Sequence, residues 1–320
     1  MTRQRWGITV PFAGVPLHAH REWFVELEDL GFTDVWSAEV NAHDAFTPLA
    51  LAAAWAPSLR LGQAIVPVYT RGPALLAQSI ASLAEAAPGR VVLGIGTSSN
   101  VIVERWNGIP FEKPYQRVRD TLRFLRAALA GEKVTEDYET FSVKGFRLGI
   151  RLAEPPPILL AALRPGMLGL AGREADGAII NWLSPTDVRT VVPHVGEEKE
   201  IAARIFVLPD TDRDTVLGIG RRMIAEYLNV PVYAAFHDWL GRGEALGRMW
   251  EAWKAGDRAG AVEAIPDAVV DDLVVHGSPE ACAQRVLEYV ENGVTTPAPM
   301  VIADPDTTRM VLRAMSAARP

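Results

Sequence analysis

Eight short apolar runs alternate with segments of helical periodicity along this chain of 320 residues. In chain order the runs are residues 7–12, 34–37, 59–66, 91–95, 158–162, 178–180, 205–208 and 299–302. Between them apolar residues recur at three- and four-residue steps, most clearly from Tyr115 to Leu129, and this spacing predicts helices. Strands that alternate with helices pair in parallel through right-handed crossovers. Eight such units predict an α/β protein folded as a (β/α)8 barrel, of the TIM type.

Two stretches do not fit this repeating unit. Residues 132–154 follow the helix after the fourth strand, and residues 230–276 follow the helix after the seventh. Residues 269–275 resemble a strand, which would make nine, so we place them within the second stretch. We expect one domain over residues 1–320, with insertions after strands 4 and 7, the latter at residues 230–276.

Charge and cysteine content narrow the class of partner and the compartment. Lys and Arg number 32 against 39 Asp and Glu, so the net charge of −7 argues against a general nucleic-acid binder. The single cysteine, Cys282, suits a reducing compartment. The first ten residues lack the apolar run of a signal peptide, and no stretch approaches the roughly 20 apolar residues of a membrane span. We expect a cytoplasmic protein that binds neither nucleic acid nor membrane.

In a barrel the active site lies at the carboxyl ends of the strands, so the residues after each run are the candidates. The loop after strand 4 is the most informative, because Gly94 and Gly96 let a ligand approach the backbone. Polar groups follow at Thr97, Ser98, Ser99 and Asn100. A helix from about residue 101 would offer free N–H groups to an anion. The loop lacks the Walker and dinucleotide fingerprints, so cofactor contact and a plain strand-to-helix turn remain open.

Two other strand ends carry groups that suit a ligand. The turn Leu163-Arg164-Pro165-Gly166 is compatible with a cofactor contact and equally with a helix begun by proline. At the end of strand 3, Tyr69 and Arg71 place a phenol and a guanidinium. Arg71 is suited to binding a ligand carboxylate or phosphate, and equally to bracing Glu39 or Asp44.

The segment after strand 2 carries Glu39, His43 and Asp44, which suits general acid–base chemistry or a solvated loop. Trp36 and Trp182 lie near strand ends, where flat apolar walls could hold a planar ring. No histidine spacing matches a zinc helix, so we expect no metal. The sequence also lacks the Gly-x-Ser-x-Gly elbow of a hydrolase.

Four motifs together resemble one known family. They are Ala-Pro-Gly-Arg-Val-Val-Leu-Gly-Ile-Gly at 87–96, Thr-Arg-Gly-Pro at 70–73, Leu-Ala-Gly-Arg-Glu-Ala-Asp-Gly at 170–177 and His-Gly-Ser-Pro at 276–279. In this order they resemble the bacterial luciferase-like superfamily over nearly the whole chain. Within it the chain is similar to actinobacterial oxidoreductases that use the deazaflavin coenzyme F-420. The resemblance implies a deazaflavin ring at the strand ends, hydride exchange at ring carbon C5, and a possible homodimer.

The resemblance also assigns roles to individual residues. It implies a cis peptide between Ala64 and Ile65 that backs the ring, and a ring contact from Asn100. The cofactor's polar side chain would lie against two sets of residues, namely Thr97, Ser98 and Ser99, and Ala162, Leu163, Arg164, Gly166 and Met167. We expect the substrate to face Trp36, His43, Tyr69, Arg71 and Trp182.

The chain departs from the family at two catalytic positions. Many relatives carry Asp-His after strand 2, where this chain has Ala38-Glu39, and a family glutamate falls on Thr97. Glu39 is then the residue expected to act as the acid, if it is buried. We expect an enzyme, an oxidoreductase that transfers hydride between coenzyme F-420 and a small organic substrate. One alternative is an FMN-dependent monooxygenase with Arg71, Arg105 or Arg164 on the phosphate, and another is a non-catalytic flavin- or deazaflavin-binding barrel.

Overall fold

Within residues 4–196 and 198–320, the computed structural model contains twelve strands and thirteen α-helices. The strands are β1 (Gly7–Thr9), β2 (Asp34–Ser37), β3 (Arg60–Gln63), β4 (Val66–Pro67), β5 (Val91–Gly96), β6 (Val134–Asp137), β7 (Ser142–Phe146), β8 (Ile158–Ala161), β9 (Gly177–Asn181), β10 (Glu200–Leu208), β11 (Val275–His276) and β12 (Thr296–Val301). The helices are α1 (His20–Asp29), α2 (Thr47–Trp55), α3 (Pro73–Ala86), α4 (Pro114–Leu129), α5 (Pro165–Glu174), α6 (Pro185–Val191), α7 (Arg213–Leu228), α8 (Pro231–Trp239), α9 (Gly243–Lys254), α10 (Arg258–Glu263), α11 (Asp267–Leu273), α12 (Pro279–Glu291) and α13 (Pro305–Ala317). None of the helices in the described ranges combines the length and the apolar character needed to cross a membrane.

The main sheet is parallel and curled. Its order is β1-β2-β3-β5-β8-β9-β10, and β12 pairs with β10 on the far side. The first and last strands lie side by side, because the Arg5 N–H donates to the Thr295 carbonyl at 2.9 Å. Close by, the Thr9 hydroxyl donates to the Ala298 carbonyl, also at 2.9 Å. The α/β class and the parallel pairing predicted from the eight apolar runs are therefore confirmed.

Most helices begin and end where the sequence signals lie. α3 starts at Pro73, which loses no hydrogen bond in a first turn, and α6 begins with a capping box between Ser184 and Asp187. The strand-like run at 269–275 is mostly helix α11, and only the two-residue strand β11 follows it. That interpretation was wrong because Val269, Val270 and Leu273 lie on one helical face, which is buried.

The inner face of the curled sheet is filled at its amino end by Trp36. A Cβ on Gly7 would lie 2.8 Å from the indole, and one on Gly62 would lie 2.4 Å from it, so only glycine leaves room. The Arg60 guanidinium lies 5.7 Å from the centroid of the indole ring. This tryptophan, 0% exposed, is a core residue of the sheet interior. The expectation that Trp36 faces substrate at the rim is corrected accordingly.

A second apolar core joins helices α7–α11 to the ends of β9 and β10. Trp182 stacks on Phe206 with ring centroids 4.2 Å apart, and Tyr227 of α7 lies 5.1 Å from Trp182. Leu246 and Val270 from α9 and α11 belong to the same buried cluster. These helices therefore cover the carboxyl ends of the sixth and seventh main strands, and they hold Trp182 in a packed core, 1% exposed. The expected substrate-facing role of Trp182 is corrected for this reason.

Candidate active site at the carboxyl end of the sheet

The third main strand is interrupted at the carboxyl end of the sheet by a cis peptide between Ala64 and Ile65. The bond separates β3 from β4, and it confirms the cis geometry predicted for this position. Neighbouring backbone holds both sides of it. The Ala64 N–H donates to the Ser37 carbonyl at 2.6 Å, and the Ile65 carbonyl accepts from the Glu39 N–H at 3.2 Å. Both side chains pack against the inner cluster of the sheet.

Glycines on the next strand leave space beside this peptide. A Cβ on Gly94 would lie 1.9 Å from the Gln63 carbonyl oxygen. A Cβ on Gly96 would lie 2.7 Å from the Ala161 Cβ and 3.3 Å from the Ile65 Cδ1. Any larger residue at position 94 or 96 would collide with these neighbours. The two glycines therefore keep the inner face flat where the strands end.

The loop after β5 combines a left-handed residue with a wide helical turn. Ser98 has φ +61°, which is uncommon outside glycine, and such positions are typical of functional sites. The predicted helix after Asn100 is present as a π-helix, Val101–Trp106, a form that is also frequent at functional sites. The Ser99 hydroxyl accepts from the Ile102 N–H at 3.3 Å. Residues 97–100 are half-buried, so their polar groups border the rim.

The turn after β8 presents free backbone donors. Helix α5 begins at Pro165, and its first hydrogen bond runs from the Leu168 N–H to the Arg164 carbonyl at 3.0 Å. The amides of Gly166 and Met167 therefore precede the first bond within the helix. Arg164 and Gly166 are exposed. A helix N-terminus with an arginine beside it suits an anionic group, as expected for this turn.

The loop after β2 contains an ion pair. The Glu39 carboxylate accepts from Arg71 Nη2 at 3.0 Å and from the Ala45 N–H at 3.1 Å. Arg71 also lies 3.9 Å from the Asp44 carboxylate and 4.8 Å from the centroid of the Phe46 ring. Of the two roles left open for Arg71, the structure shows the bracing one. The acid role of Glu39 stays a prediction.

Asp44 and His43 lie in the same loop as Glu39. Burial alone would raise the pKa of Asp44, but hydrogen bonds from Thr47 and Phe46 and the charge of Arg71 lower it. Asp44 Oδ1 accepts from the Phe46 N–H at 2.8 Å, which holds the entry to α2. His43, in contrast, is exposed at the tip of the loop. The loop is therefore ordered by its carboxylates.

Tyr69 lies behind the rim. Its hydroxyl donates to the Glu112 carbonyl at 2.6 Å, its ring centroid lies 5.1 Å from that of Phe111, and the residue is 7% exposed. Burial raises the pKa of Tyr69 to about 12. The expectation that this phenol faces substrate is corrected, because its hydroxyl and ring anchor the segment that leads into α4.

A group that the sequence did not single out lies on the seventh main strand. Arg204 pairs in register with Asn181 and Ala298, and its guanidinium lies 2.7 Å from the Met300 sulfur and 5.3 Å from the Phe206 ring. Burial lowers the pKa of Arg204. The residue was missed because the predicted strand began at Ile205. The alternation of Ala202, Arg204 and Phe206 was the signal that placed it on the inner face.

Comparison with known proteins agrees with this geometry. Residues 4–296 match the luciferase-like monooxygenase family. The chain is 30% identical over 293 residues to a 5,10-methylenetetrahydromethanopterin reductase of Archaeoglobus fulgidus, covering 86% of this chain and 87% of the relative. It is 27% identical to a putative coenzyme F-420-dependent oxidoreductase of Mycobacterium tuberculosis, covering 88% and 90%.

A solved structure shares the fold. The coenzyme F-420-dependent tetrahydromethanopterin reductase from Methanopyrus kandleri superposes with a TM-score of 0.78 at 22% identity, covering 98% of each chain. The family match spans most of the present chain, and the resemblance inferred from its four motifs is confirmed. The chain belongs to the luciferase-like monooxygenase family of enzymes.

Proposed function

We propose that the protein is an oxidoreductase that transfers hydride between coenzyme F-420 and a small organic substrate. The observation that carries this proposal is the Ala64–Ile65 cis peptide beside Gly94 and Gly96, at the carboxyl end of a parallel sheet. The named activities of the reductases and of the mycobacterial relative favour the deazaflavin over FMN. When bound, the deazaflavin supplies a hydride donor or acceptor at ring carbon C5.

The residues at the rim fit such a cofactor. Ala64 and Ile65 would lie behind one face of the ring, and Asn100 would contact its edge. The amides of Gly166 and Met167, with Arg164, would hold the phosphate-bearing side chain, because the helix end and the arginine favour an anion. The wall from Ala162 to Leu163 and the polar groups of Thr97, Ser98 and Ser99 would complete this contact.

We also infer that the curled sheet closes as a (β/α)8 barrel. The Arg5–Thr295 and Thr9–Ala298 hydrogen bonds support closure, since they join the first and last strands. The β6–β7 hairpin and the helices α8–α11 would be the insertions after strands 4 and 7. Helices α7–α11, which cover two strand ends, would exclude water from the reacting groups.

Glu39 and Arg71 would act on the cofactor through the backbone. The Glu39 N–H contacts the Ile65 carbonyl, and its carboxylate holds Arg71 and the Ala45 N–H. The pair would therefore position the cis peptide and the loop that carries His43. Glu39 is the candidate donor of the substrate proton in this loop.

The proposal is tested by titrating the apo-protein with each cofactor and following tryptophan fluorescence. We expect coenzyme F-420 to bind at least tenfold more tightly than FMN. Gly96→Val would weaken F-420 binding by at least tenfold, because a side chain there meets Ala161 and Ile65. Gly149→Val is the matched control, since its Cβ would meet nothing within 4 Å.

Thermal unfolding of both glycine variants checks that they are folded. Tight binding of FMN with no binding of F-420 would replace the proposal by the monooxygenase alternative. Reduced F-420 bound to the protein should be oxidised in a single turnover by at least one member of a panel of enones and imines. Uniform inertness would instead support the non-catalytic binding barrel.

A further inference from the structure

Arg204 is a cation inside the mouth of the sheet that lacks an acidic partner. Among residues 4–196 and 198–320, no carboxylate lies within 4.0 Å of its guanidinium, and its Nε has no hydrogen-bond partner. Its closest polar neighbour is the Met300 sulfur, a weak acceptor. A buried charge is ordinarily paired, because leaving water without compensation is costly. The structure therefore holds a strong donor group whose acceptor is not part of the described chain.

The side chains around Arg204 are less buried than the neighbouring strand residues. Asn181, Tyr227, Tyr233 and Met300 are each partly exposed, as is Arg204, although the strands around them are fully buried. The Asn181 amide donates to the Tyr233 hydroxyl at 3.1 Å, which fixes one wall. Arg204 is thus partly exposed on the inner face of β10, among other partly exposed polar side chains.

The strand that carries Arg204 lies across the sheet from the proposed cofactor site. From β3, which ends at the cis peptide, β10 is reached in four steps through β5, β8 and β9. Because the first and last strands lie side by side, four steps along eight main strands lead to the opposite wall. A molecule between that wall and the ring would be the substrate, and the group it presents to β10 would meet Arg204.

We propose that Arg204 binds a carboxylate of the substrate, so that the enzyme acts on small organic acids. A guanidinium offers paired donors that match the two oxygens of a carboxylate. The partly exposed ring of Tyr227 would contact the apolar part of the acid. This inference rests on the proposed function for the identity of the substrate, but the anion site itself does not.

The test measures binding, by calorimetry, of acetate, 3-methylbutanoate, benzoate and trans-cinnamate, each against its primary amide, with and without F-420. We expect at least one acid to bind tenfold more tightly than its amide. Arg204→Met should reduce that ratio to below two, and Arg204→Lys should restore part of it. Arg222→Met, which removes an exposed arginine of α7, should leave the ratio unchanged.

The possible outcomes of these measurements separate the alternatives. The proposal is overturned if no acid in the series is preferred over its amide, or if Arg204→Met keeps the preference. It is also overturned if Arg204→Met weakens F-420 binding tenfold and leaves the acid preference intact, since the cation would then serve the cofactor. An Arg204-dependent preference in a protein that binds no F-420 would support the anion site and contradict the proposed function.

Discussion

Two arginines on the inner face of one sheet have opposite surroundings. At the amino end, Arg60 pairs with Asp34 and Glu200, and its Nη1 donates to Glu200 at 2.9 Å. Asp34 in turn accepts from Arg5 at 2.8 Å, and Glu200 accepts from Thr296 at 2.7 Å. At the carboxyl end, Arg204 has a thioether and an aromatic ring.

The two arginines differ in whether their charge is compensated within the protein. Burial opposes the charge of both arginines, but the two carboxylates raise the pKa of Arg60 above its usual range, whereas the pKa of Arg204 is lowered. A network whose charges are all paired inside the protein needs no ligand. A buried cation without an acidic partner, such as Arg204, does not stabilise the fold by ion pairing unless a ligand supplies the anion. The paired charges at the amino end thus stabilise the fold, and Arg204 at the carboxyl end is the group proposed to bind an anion.

The largest expected effect comes from exchanging each arginine for methionine. Arg60→Met would leave Asp34 and Glu200 buried without their partner and lower the free energy of unfolding by about 3–5 kcal/mol. Arg204→Met would leave the free energy of unfolding unchanged or raised, because it removes an uncompensated charge. Urea unfolding followed by tryptophan fluorescence measures both. Equal losses of unfolding free energy in the two variants would contradict the contrast drawn between Arg60 and Arg204.

The pH dependence of stability sharpens the description of the amino end. Burial alone would raise the pKa of Glu200, but Arg60 and Thr296 lower it below its ordinary 4.5. The resulting stabilisation is therefore complete above the unfolded-state value and is lost as pH falls toward the lower folded value. Glu200→Gln would lower the free energy of unfolding by about 1.5–3 kcal/mol at pH 7.

The same variant should flatten the acid limb of the stability curve below about pH 5. Glu85→Gln, an exposed position on α3, is the control and should keep the wild-type slope. An unchanged slope in Glu200→Gln would assign the acid sensitivity to other carboxylates.

Tyr69 gives a smaller effect at the carboxyl end. Tyr69→Phe removes the hydrogen bond to the Glu112 carbonyl and should lower the free energy of unfolding by about 1 kcal/mol. Because the ring faces Phe111 rather than the mouth, F-420 affinity and turnover should stay within twofold of wild type. A tenfold fall in turnover would restore the substrate-facing interpretation of this residue.

The smallest stability effect is expected at the Glu39–Arg71 pair. Each of Glu39→Gln and Arg71→Gln should lower the free energy of unfolding by about 1 kcal/mol or less, since the pair is partly exposed. If the pair acts only by positioning, both variants and their combination should lower turnover equally, with an unchanged pH profile. Loss of turnover in Glu39→Gln alone, with Arg71→Gln active, would identify Glu39 as the proton donor.

The sequence predicted features that depend on local pattern. Helix α3 begins at Pro73, a residue type that suits a first helical turn, and the parallel strands follow from their alternation with helices. The cis peptide at Ala64–Ile65 was reached through the family resemblance, and no periodicity would have located it. The sequence thus predicted the strands that surround the site and the glycines of β5.

Features that depend on register and on the covering helices were not predicted. Trp36 and Trp182 lie near strand ends in the sequence, but Gly7 and Gly62 make room for one inside the sheet, and α7 packs over the other. Arg204 points inward because a strand alternates its faces, and the predicted strand excluded it because that strand began at Ile205 rather than at Glu200. These placements follow from contacts between residues far apart in the chain.

The indole of Trp36 fills the inner face of the sheet at its amino end, and Arg60 lies next to it. In the proposed closed barrel, cofactor and substrate would therefore both enter and leave between the carboxyl ends of the strands. In the proposed reaction, whichever of cofactor and substrate is bound deeper could dissociate only after the other has left. The proposed barrel would then bind and release the two reactants in a fixed order, set by the closed amino end of the sheet rather than by the reacting groups.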